Sequence, residues 1–232
     1  MKVKDAKKIT ESLTRTSKMP GLSYSLPAWA CQTGSKLRKV KTSPCYGCYA
    51  LKNNYVRYPA IKEAQYRRLD AITHPDWVQA MAVQIKRQKW FRWHDAGDLQ
   101  SSEHMQKIIE VCKLTPDTQH WLPTQERQYL PDPADVPKNL IIRLSAAKVD
   151  GTAGNAWSHS STVVTDGSAS CLAPSQGGKC LDCRACWNKD ITNLNKYTVD
   201  ELKIMLASIN GQVKNGTKKE IVSLLFAVLI IL

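Results

Sequence analysis

The clearest β-strand in the sequence is Asn139-Leu-Ile-Ile-Arg-Leu-Ser145, a run of branched aliphatic residues that ends at a polar position. Three other segments are predicted to be strands because they are short, rich in aromatic or β-branched residues and bounded by turn residues. They are Trp90-Phe-Arg-Trp-His-Asp-Ala-Gly-Asp98, Gln119-His-Trp-Leu-Pro-Thr124 and Ser161-Thr-Val-Val-Thr165.

Helices are predicted between these strands. Apolar residues recur at helical spacing in segments 58–72 and 77–89, and Ser101 or Ser102 caps a helix that runs to about Lys113. Strands that alternate with helices pair in parallel through right-handed crossovers, so the sequence predicts an α/β fold. Residues 1–30, and the segment 31–48 with its Gly34, Pro44 and Gly47, show no such periodicity and are predicted to be loop-rich.

Polar residues follow the predicted strands at their carboxyl ends, where α/β folds place their chemistry. We expect these residues to outline a pocket, although polar strand-end loops also occur without function. Paired acids at a strand end can hold a divalent cation, which keeps a metal-dependent nuclease or hydrolase as one alternative, using His94, Asp95 and Asp98. The strand-end set is His94, Asp95, Gly97, Asp98, Thr124, Gln125, Glu126, Ser145, Thr165 and Asp166.

The charge of the 232-residue chain is strongly basic, with a formal net charge of +13. Residues 1–57 contain twelve Lys and Arg against Asp5 and Glu11, which gives +10 for this segment. A field of this sign favours a polyanionic partner, nucleic acid before membrane, although a solvated basic surface is the alternative.

The first ten residues, MKVKDAKKIT, have no apolar segment after them of the kind that a secretory signal contains, so we expect a cytoplasmic protein. In a reducing compartment, eight cysteines indicate metal ligation or catalysis rather than disulfides. The apolar run 221–232 is shorter than the roughly 20 residues of a membrane span, and we interpret it as the end of a buried helix.

Four cysteines lie close together in the sequence near the end of the α/β segment, as Cys171, Cys180, Cys183 and Cys186. Their C-x8-C-x2-C-x2-C spacing can close around one metal centre, which we call the four-cysteine group. The repeated spacing of three favours a [4Fe–4S] cluster, with tetrahedral zinc as the alternative.

Cys31, Cys45 and Cys48 form a second set, the three-cysteine group, with C-x13-C-x2-C spacing. Three thiolates leave one position of a metal centre open, and an open iron in a cluster is where a small molecule can coordinate and react. A structural zinc would instead need a fourth ligand, for which His94, His159 and Cys112 are candidates.

Three motifs together resemble the phage gene product 88 family. They are Ser43-Pro-Cys45-Tyr-Gly-Cys48-Tyr-Ala, Arg92-Trp-His-Asp-Ala-Gly-Asp98 and Lys179-Cys180-Leu-Asp-Cys183-Arg-Ala-Cys186-Trp187, and the resemblance covers about residues 20–190. More distantly, the layout is similar to radical S-adenosylmethionine (SAM) enzymes. That resemblance implies a partial (β/α) barrel, a three-cysteine cluster that reduces SAM, and often an auxiliary cluster near the C-terminus.

Carried onto this sequence, the resemblance implies that Cys31, Cys45 and Cys48 hold a [4Fe–4S] cluster and that Gly97 and Asp98 bind the SAM amino group. Thr124 and Ser145, at the next strand ends, are further candidates for cofactor binding. The sequence departs from that superfamily in the thirteen-residue gap after Cys31, where the usual gap is three residues.

Residues 197–225 are similar to SAP and helix-extended-loop-helix DNA-binding modules. Lys214, Lys218 and Lys219 lie beside the predicted start of the second helix, where amides and ammonium groups can hold phosphates. We therefore divide the chain into an α/β metal-cluster domain, 1–190, and a helical module, 191–232.

The leading hypothesis is a radical-SAM-like iron–sulfur enzyme that acts on or near DNA, in the host cytoplasm if phage-encoded, and that requires an electron donor. A different class remains open, a non-enzymatic DNA-binding protein in which zinc stabilises the loops.

Overall fold

The structure, a computed structural model, describes residues 1–52, 54–166 and 168–197. Most of the predicted C-terminal module lies outside the described residues, including Lys214, Lys218, Lys219 and the apolar run 221–232.

One six-stranded sheet organises the described chain. Its strands lie side by side in chain order and every neighbouring pair is parallel, as the alternation of strands and helices predicts. The fold is therefore mixed α/β with an open, all-parallel sheet, consistent with a partial barrel. The strands are β1 (Leu22–Tyr24), β2 (Trp90–Trp93), β3 (Gln119–Thr124), β4 (Leu140–Ser145), β5 (Ser160–Val164) and β6 (Asn193–Tyr197).

Six α-helices accompany the sheet in the described residues, and all six precede residue 115. Short 3₁₀ turns and loops connect β3 to β4 and the strands that follow. In the ranges that the structure covers, no helix is both long enough and apolar enough to cross a membrane. The helices are α1 (Val3–Thr10), α2 (Gln32–Leu37), α3 (Asn54–Arg57), α4 (Pro59–Ala71), α5 (Trp77–Ile85) and α6 (Ser102–Leu114).

The predictions for β3, β4, β5, α4, α5 and α6 are confirmed to within a few residues. The hydroxyl of Ser101 caps α6, accepting the amide of His104 at 3.0 Å. Strand β2 stops earlier than predicted, because His94 adopts a positive φ of 52° that turns the chain out of the extended conformation.

The prediction that residues 1–48 are loop-rich was wrong for three segments, α1, β1 and α2. Strand β1 is only three residues long, and α2 six, so neither is long enough to display a period in the sequence. Strand β6 was not predicted either, because four of its five residues are polar or aromatic. Its single aliphatic residue, Leu194, is buried. It extends the sheet past residue 190.

The two faces of the sheet pack differently. One face packs on α4, α5 and α6 through the main core, which includes Trp77, Trp93 and Ile108. The other face has no α-helix among the described residues, and instead packs Trp121 and Ile141 against Met19 and Trp187. Cys180 and Cys186 pack on this second cluster, so the four-cysteine segment covers this face.

Candidate metal centres

The three-cysteine group lies at the carboxyl edge of the sheet, in the connection between β1 and α4. A Cβ built on Gly34 would lie 3.7 Å from the Sγ of Cys31 and 4.0 Å from that of Cys45, so both sulfurs face the same point. Burial raises the pKa of the Cys31 thiol, and the nearby charges of Asp98, Cys48, Cys45 and Glu126 raise it further. The fold thus brings the three cysteines together, next to Asp98.

A buried carboxylate, Glu126, anchors the start of this loop to the end of β3. Its Oε1 accepts the amides of Gln32 (3.1 Å) and Thr33 (2.8 Å), and its Oε2 accepts the Thr33 hydroxyl (2.6 Å) and the Gln128 side-chain amide (2.8 Å). The side chain is fully buried. Glu126 therefore fixes the position of Cys31 by binding Gln32 and Thr33, the two residues that follow Cys31.

Asp98 joins the ends of β2 and β3. Its Oδ1 accepts the Leu99 amide (2.8 Å) and the Thr124 hydroxyl (2.6 Å), while its Oδ2 accepts the Gln125 amide (2.8 Å). Burial raises the pKa of Asp98 to about 7 even though these hydrogen bonds favour the charged form. One lone pair of Oδ2 has no partner among the described residues.

The close approach of Leu26 leaves no room for a side chain at Gly97. Its φ is 81°, and a Cβ at this position would lie 2.5 Å from the Cβ of Leu26 and 2.8 Å from the Leu26 carbonyl oxygen. The chain passes this close because Leu26 also donates its amide to the Ala96 carbonyl. Gly97 therefore lets the β2 end approach the β1 end and directs Asp98 towards Thr124.

The remaining predicted strand-end residues divide between two environments. Asp95 is buried and accepts hydrogen bonds from the hydroxyls of Ser23 (2.6 Å) and Tyr55 (2.8 Å), while the Tyr49 hydroxyl donates to its backbone carbonyl. Tyr49 directly follows Cys48, so this network borders the three-cysteine group. His94 instead packs against Trp93 and His104 on the helix side of the sheet, where neither ring nitrogen has a partner among the described residues.

Residues further along the sheet do not join Asp98. The Ser145 hydroxyl lies 3.3 Å from that of Ser161, and Asp150 binds the amide and hydroxyl of Thr165. Of the alternative fourth ligands for the three-cysteine group, Cys112 is buried in the main core and His159 lies near Lys189, before β6. The structure thus brings together Cys31, Cys45, Cys48, Asp98 and Thr124.

The four-cysteine group lies towards the amino end of the sheet. Cys180 donates its amide to the carbonyl of Lys18, which precedes β1, and the guanidinium of Arg184 lies 5.6 Å from the ring centre of Trp90, the first residue of β2. Burial raises the pKa of Cys180 to about 11, and the neighbouring charges of Cys186, Cys171 and Cys183 contribute. The four cysteines therefore form one group, on the face of the sheet opposite α4, α5 and α6.

Arg143 holds the four-cysteine segment against β4. Its side chain is fully buried and donates to the carbonyl oxygens of Cys186 (3.0 Å), Ala185 (3.1 Å) and Asn188 (2.7 Å). It also donates to the carbonyls of Ile191 (2.8 Å) and Ser160. All of these partners are neutral, so the charge of Arg143 is not compensated by a carboxylate.

Three more cations lie close to the four-cysteine group. The charges of Lys196 and Arg92 lower the otherwise raised pKa of Cys186, and Lys18 acts in the same way on Cys180. The guanidinium of Arg92 and the ammonium of Lys196 lie over the ring of Trp121, at 4.7 and 5.5 Å. In the described part of the chain, ion pairs involve only Arg67 and Lys107, so none of these cations has a carboxylate within 4 Å.

The donor sets and charges fit metal centres. Four thiolates around zinc or a [4Fe–4S] core leave a net charge of about −2, which four surrounding cations would compensate. Within residues 1–52, 54–166 and 168–197, no three His, Cys, Asp or Glu side chains are already arranged around a single ion. The fit therefore rests on the soft thiolate donors, their partial burial and the uncompensated cations.

The residues that hold the two groups in place could not be identified from sequence patterns. Glu126 was included only as one of ten polar strand-end residues, and Arg143 only as part of a strand. The charged residue inside the otherwise aliphatic run Leu140–Ser145 was the available signal, because a buried arginine requires several acceptors.

The sequence profile of the gene product 88 family matches residues 1–189, a range that contains both cysteine groups and five of the six strands. No curated protein and no solved structure is significantly similar to the chain. The match covers most of the sequence and agrees with the three motifs quoted above, so the chain belongs to the gene product 88 family of phage proteins.

Proposed function

We propose that the protein is an iron–sulfur protein of radical-SAM-like architecture that acts on or near DNA. In this proposal Cys31, Cys45 and Cys48 hold an open-site [4Fe–4S] cluster, and the four-cysteine group holds a closed auxiliary cluster. The observation that carries it is the convergence of three thiols beside Asp98 at the carboxyl edge of a parallel sheet whose strands follow chain order.

The auxiliary role of the second group is supported by its surroundings. Its four thiols fill the coordination positions of a cluster, and the segment packs on Trp121 and Ile141 under the hydrogen bonds of Arg143. Arg92 lies between the groups, since its charge acts on Tyr49 and Asp95 as well as on Cys186. Cations of this kind stabilise the reduced, more negative state of a cluster, which suits an electron relay.

At the open site, a bound cluster would supply single electrons and a free iron position to a small molecule. The protein's own residues do the rest. Glu126 fixes the Cys31 loop, while the free lone pair of Asp98 Oδ2 offers an acceptor to an ammonium group such as that of SAM. Thr124 orients that carboxylate through its 2.6 Å hydrogen bond.

The test is metal analysis of protein purified without oxygen. The proposal predicts brown protein with roughly eight irons and eight sulfides, because each [4Fe–4S] cluster contains four of each. Cys45→Ser and Cys183→Ser should each lose about half of the iron while retaining the other cluster. Cys112→Ser is the matched control, because Cys112 is buried in the main core away from both groups.

Two results would overturn the proposal. Colourless protein with stoichiometric zinc would favour the zinc-stabilised DNA-binding alternative. Iron that is lost entirely from either single variant would show that the two groups do not hold separate clusters.

A further inference from the structure

The segment that carries the three-cysteine group exposes three aromatic side chains, two of which make no hydrogen bond among the described residues. Trp29, two residues before Cys31, is 52% exposed, and so is Tyr46, between Cys45 and Cys48, whereas Tyr49 donates its hydroxyl to the Asp95 carbonyl. Trp29 and Tyr46 therefore each lie within two residues of a cysteine of this group. Exposed aromatic rings at such a position are typical of a binding surface.

Four cations lie between these two rings in the sequence. They are Lys36 in α2 and Arg38, Lys39 and Lys41 after it, and the guanidinium of Arg38 lies 5.2 Å from the ring centre of Trp29. None of the four has a carboxylate within ion-pair distance in the part of the chain that the structure describes. The sequence contains no Asp or Glu between Glu11 and Glu63, so no acidic residue of this region opposes their field.

We propose that this surface binds single-stranded nucleic acid and presents it to the three-cysteine group. We call it the aromatic–basic rim, and define it as Trp29, Lys36, Arg38, Lys39, Lys41 and Tyr46. The inference rests on the proposed function in one respect, that the bound strand would be the substrate of the open site. Binding by the rim is a separate property that can be measured alone.

The combination of rings and cations selects a single strand. Bases of an unpaired strand can stack on Trp29 and Tyr46, while the lysines contact its phosphates. In a duplex the bases already stack on one another, so exposed rings add little to its binding. An anionic membrane would be attracted by the lysines, but it would need a larger apolar surface than two separated rings.

The experiment measures binding of a labelled oligothymidylate, about 12 nucleotides long, to the full chain by fluorescence anisotropy. Trp29→Ala should weaken binding roughly five- to 150-fold, the range for losing one base stack, and Trp29→Phe should restore most of it. Tyr46→Ala should act in the same direction. Tyr66→Ala, which removes a ring that is 39% exposed on α4, is the matched control and should leave binding unchanged.

Two triple variants test the contribution of the lysine charges. Lys36, Lys39 and Lys41 changed to Gln should reduce the slope of log affinity against log salt by about 2, because each phosphate contact contributes roughly 0.7. The same change at Lys4, Lys7 and Lys8, which are exposed on α1, removes equal charge elsewhere and should have a smaller effect. Duplex DNA, an oligouridylate and phosphatidylglycerol vesicles serve as further probes.

These measurements distinguish the possible ligands. Tighter binding of either single strand than of the duplex, with a loss in Trp29→Ala, supports the proposal. Comparison of the oligothymidylate with the oligouridylate shows whether the protein prefers DNA or RNA. Equal binding of the duplex, preference for the vesicles, or no effect of the Trp29→Ala and Tyr46→Ala changes would overturn it. Iron analysis of the same samples tests the proposed function independently, since zinc-loaded protein that binds through the rim would refute only the iron–sulfur centre.

Discussion

Replacing Glu126 by alanine should loosen the three-cysteine group without touching a cysteine. The buried carboxylate accepts three hydrogen bonds from the start of α2, two from the amides of Gln32 and Thr33 and one from the Thr33 hydroxyl. Removing it leaves these donors without a partner and opens a space behind Cys31.

The expected loss of stability follows from these contacts. A hydrogen bond to a charged group contributes about 1.5–3 kcal/mol, but water can reach the two loop amides once the carboxylate is gone. We therefore expect the free energy of unfolding to fall by about 2–4 kcal/mol in total. For a domain of this size the melting temperature should fall by about 5–15 °C.

Two measurements check this prediction. Urea unfolding gives the change in stability, and competition with a chelator gives the affinity of the three-cysteine group for the metal proposed there. Residues that orient metal ligands typically contribute 10- to 100-fold in affinity, so a loss of that order is expected. Thr33→Val should reproduce part of the effect and combine less than additively with Glu126→Ala, because the two residues share one hydrogen bond.

Glu110→Ala is the control, since Glu110 is exposed on α6 and makes no ion pair among the described residues. The reasoning is refuted if Glu126→Ala unfolds at the same urea concentration as Glu110→Ala and binds metal equally well. A loss of stability with unchanged metal affinity would show that Glu126 supports the fold but not Cys31.

Three further predictions concern other parts of the fold. Gly97→Ala should destabilise the protein by about 2–4 kcal/mol in urea unfolding, because of its positive φ and the contact with Leu26, whereas Gly47→Ala, with open space around it, should stay within about 0.5 kcal/mol. Arg143→Met leaves at least four carbonyls without their donor, so we expect metal analysis to show loss from the four-cysteine group and retention at the other; equal loss from both would contradict the assignment. Burial lowers the pKa of His104 from 6.5 to about 3, so its contribution is complete above pH 6.5 and decreases as pH falls towards 3. Between pH 7.5 and 5.5 the free energy of unfolding should therefore fall by about 1 kcal/mol, and an unchanged pH dependence of stability in His104→Gln would refute this.

The long, periodic elements could be predicted from the sequence. Strand β4 is a continuous aliphatic run, and α6 has both a serine cap and apolar residues at helical spacing. Because parallel strands need crossovers, the alternation of these elements also gave the direction of pairing. The grouping of the cysteines followed from their spacing, which required no knowledge of distant contacts.

The remaining features depend on contacts between distant residues. Strand β1 exists because Leu22, Ser23 and Tyr24 pair with β2, almost seventy positions later, and three residues carry too little pattern to reveal this. His94 was predicted at a strand end with Asp95, but with its positive φ it packs against Trp93 and His104, while Asp95 accepts the Ser23 hydroxyl. The anchoring role of Glu126 depends on a helix start 93 residues earlier in the chain.

Because each strand pairs with the one that follows it in sequence, the sheet can grow in the order in which the chain is synthesised. The loop of the three-cysteine group is held by Glu126 and by the Val149 amide, which donates to the Thr42 carbonyl, so these contacts can form on the ribosome before β5 and β6 are made. The four-cysteine group has to wait for Lys196 and the carbonyls up to Ile191, which only appear with β6. If both groups hold metal as proposed, the two centres would mature at different times, and a nascent chain stalled between these points should already retain metal at the first.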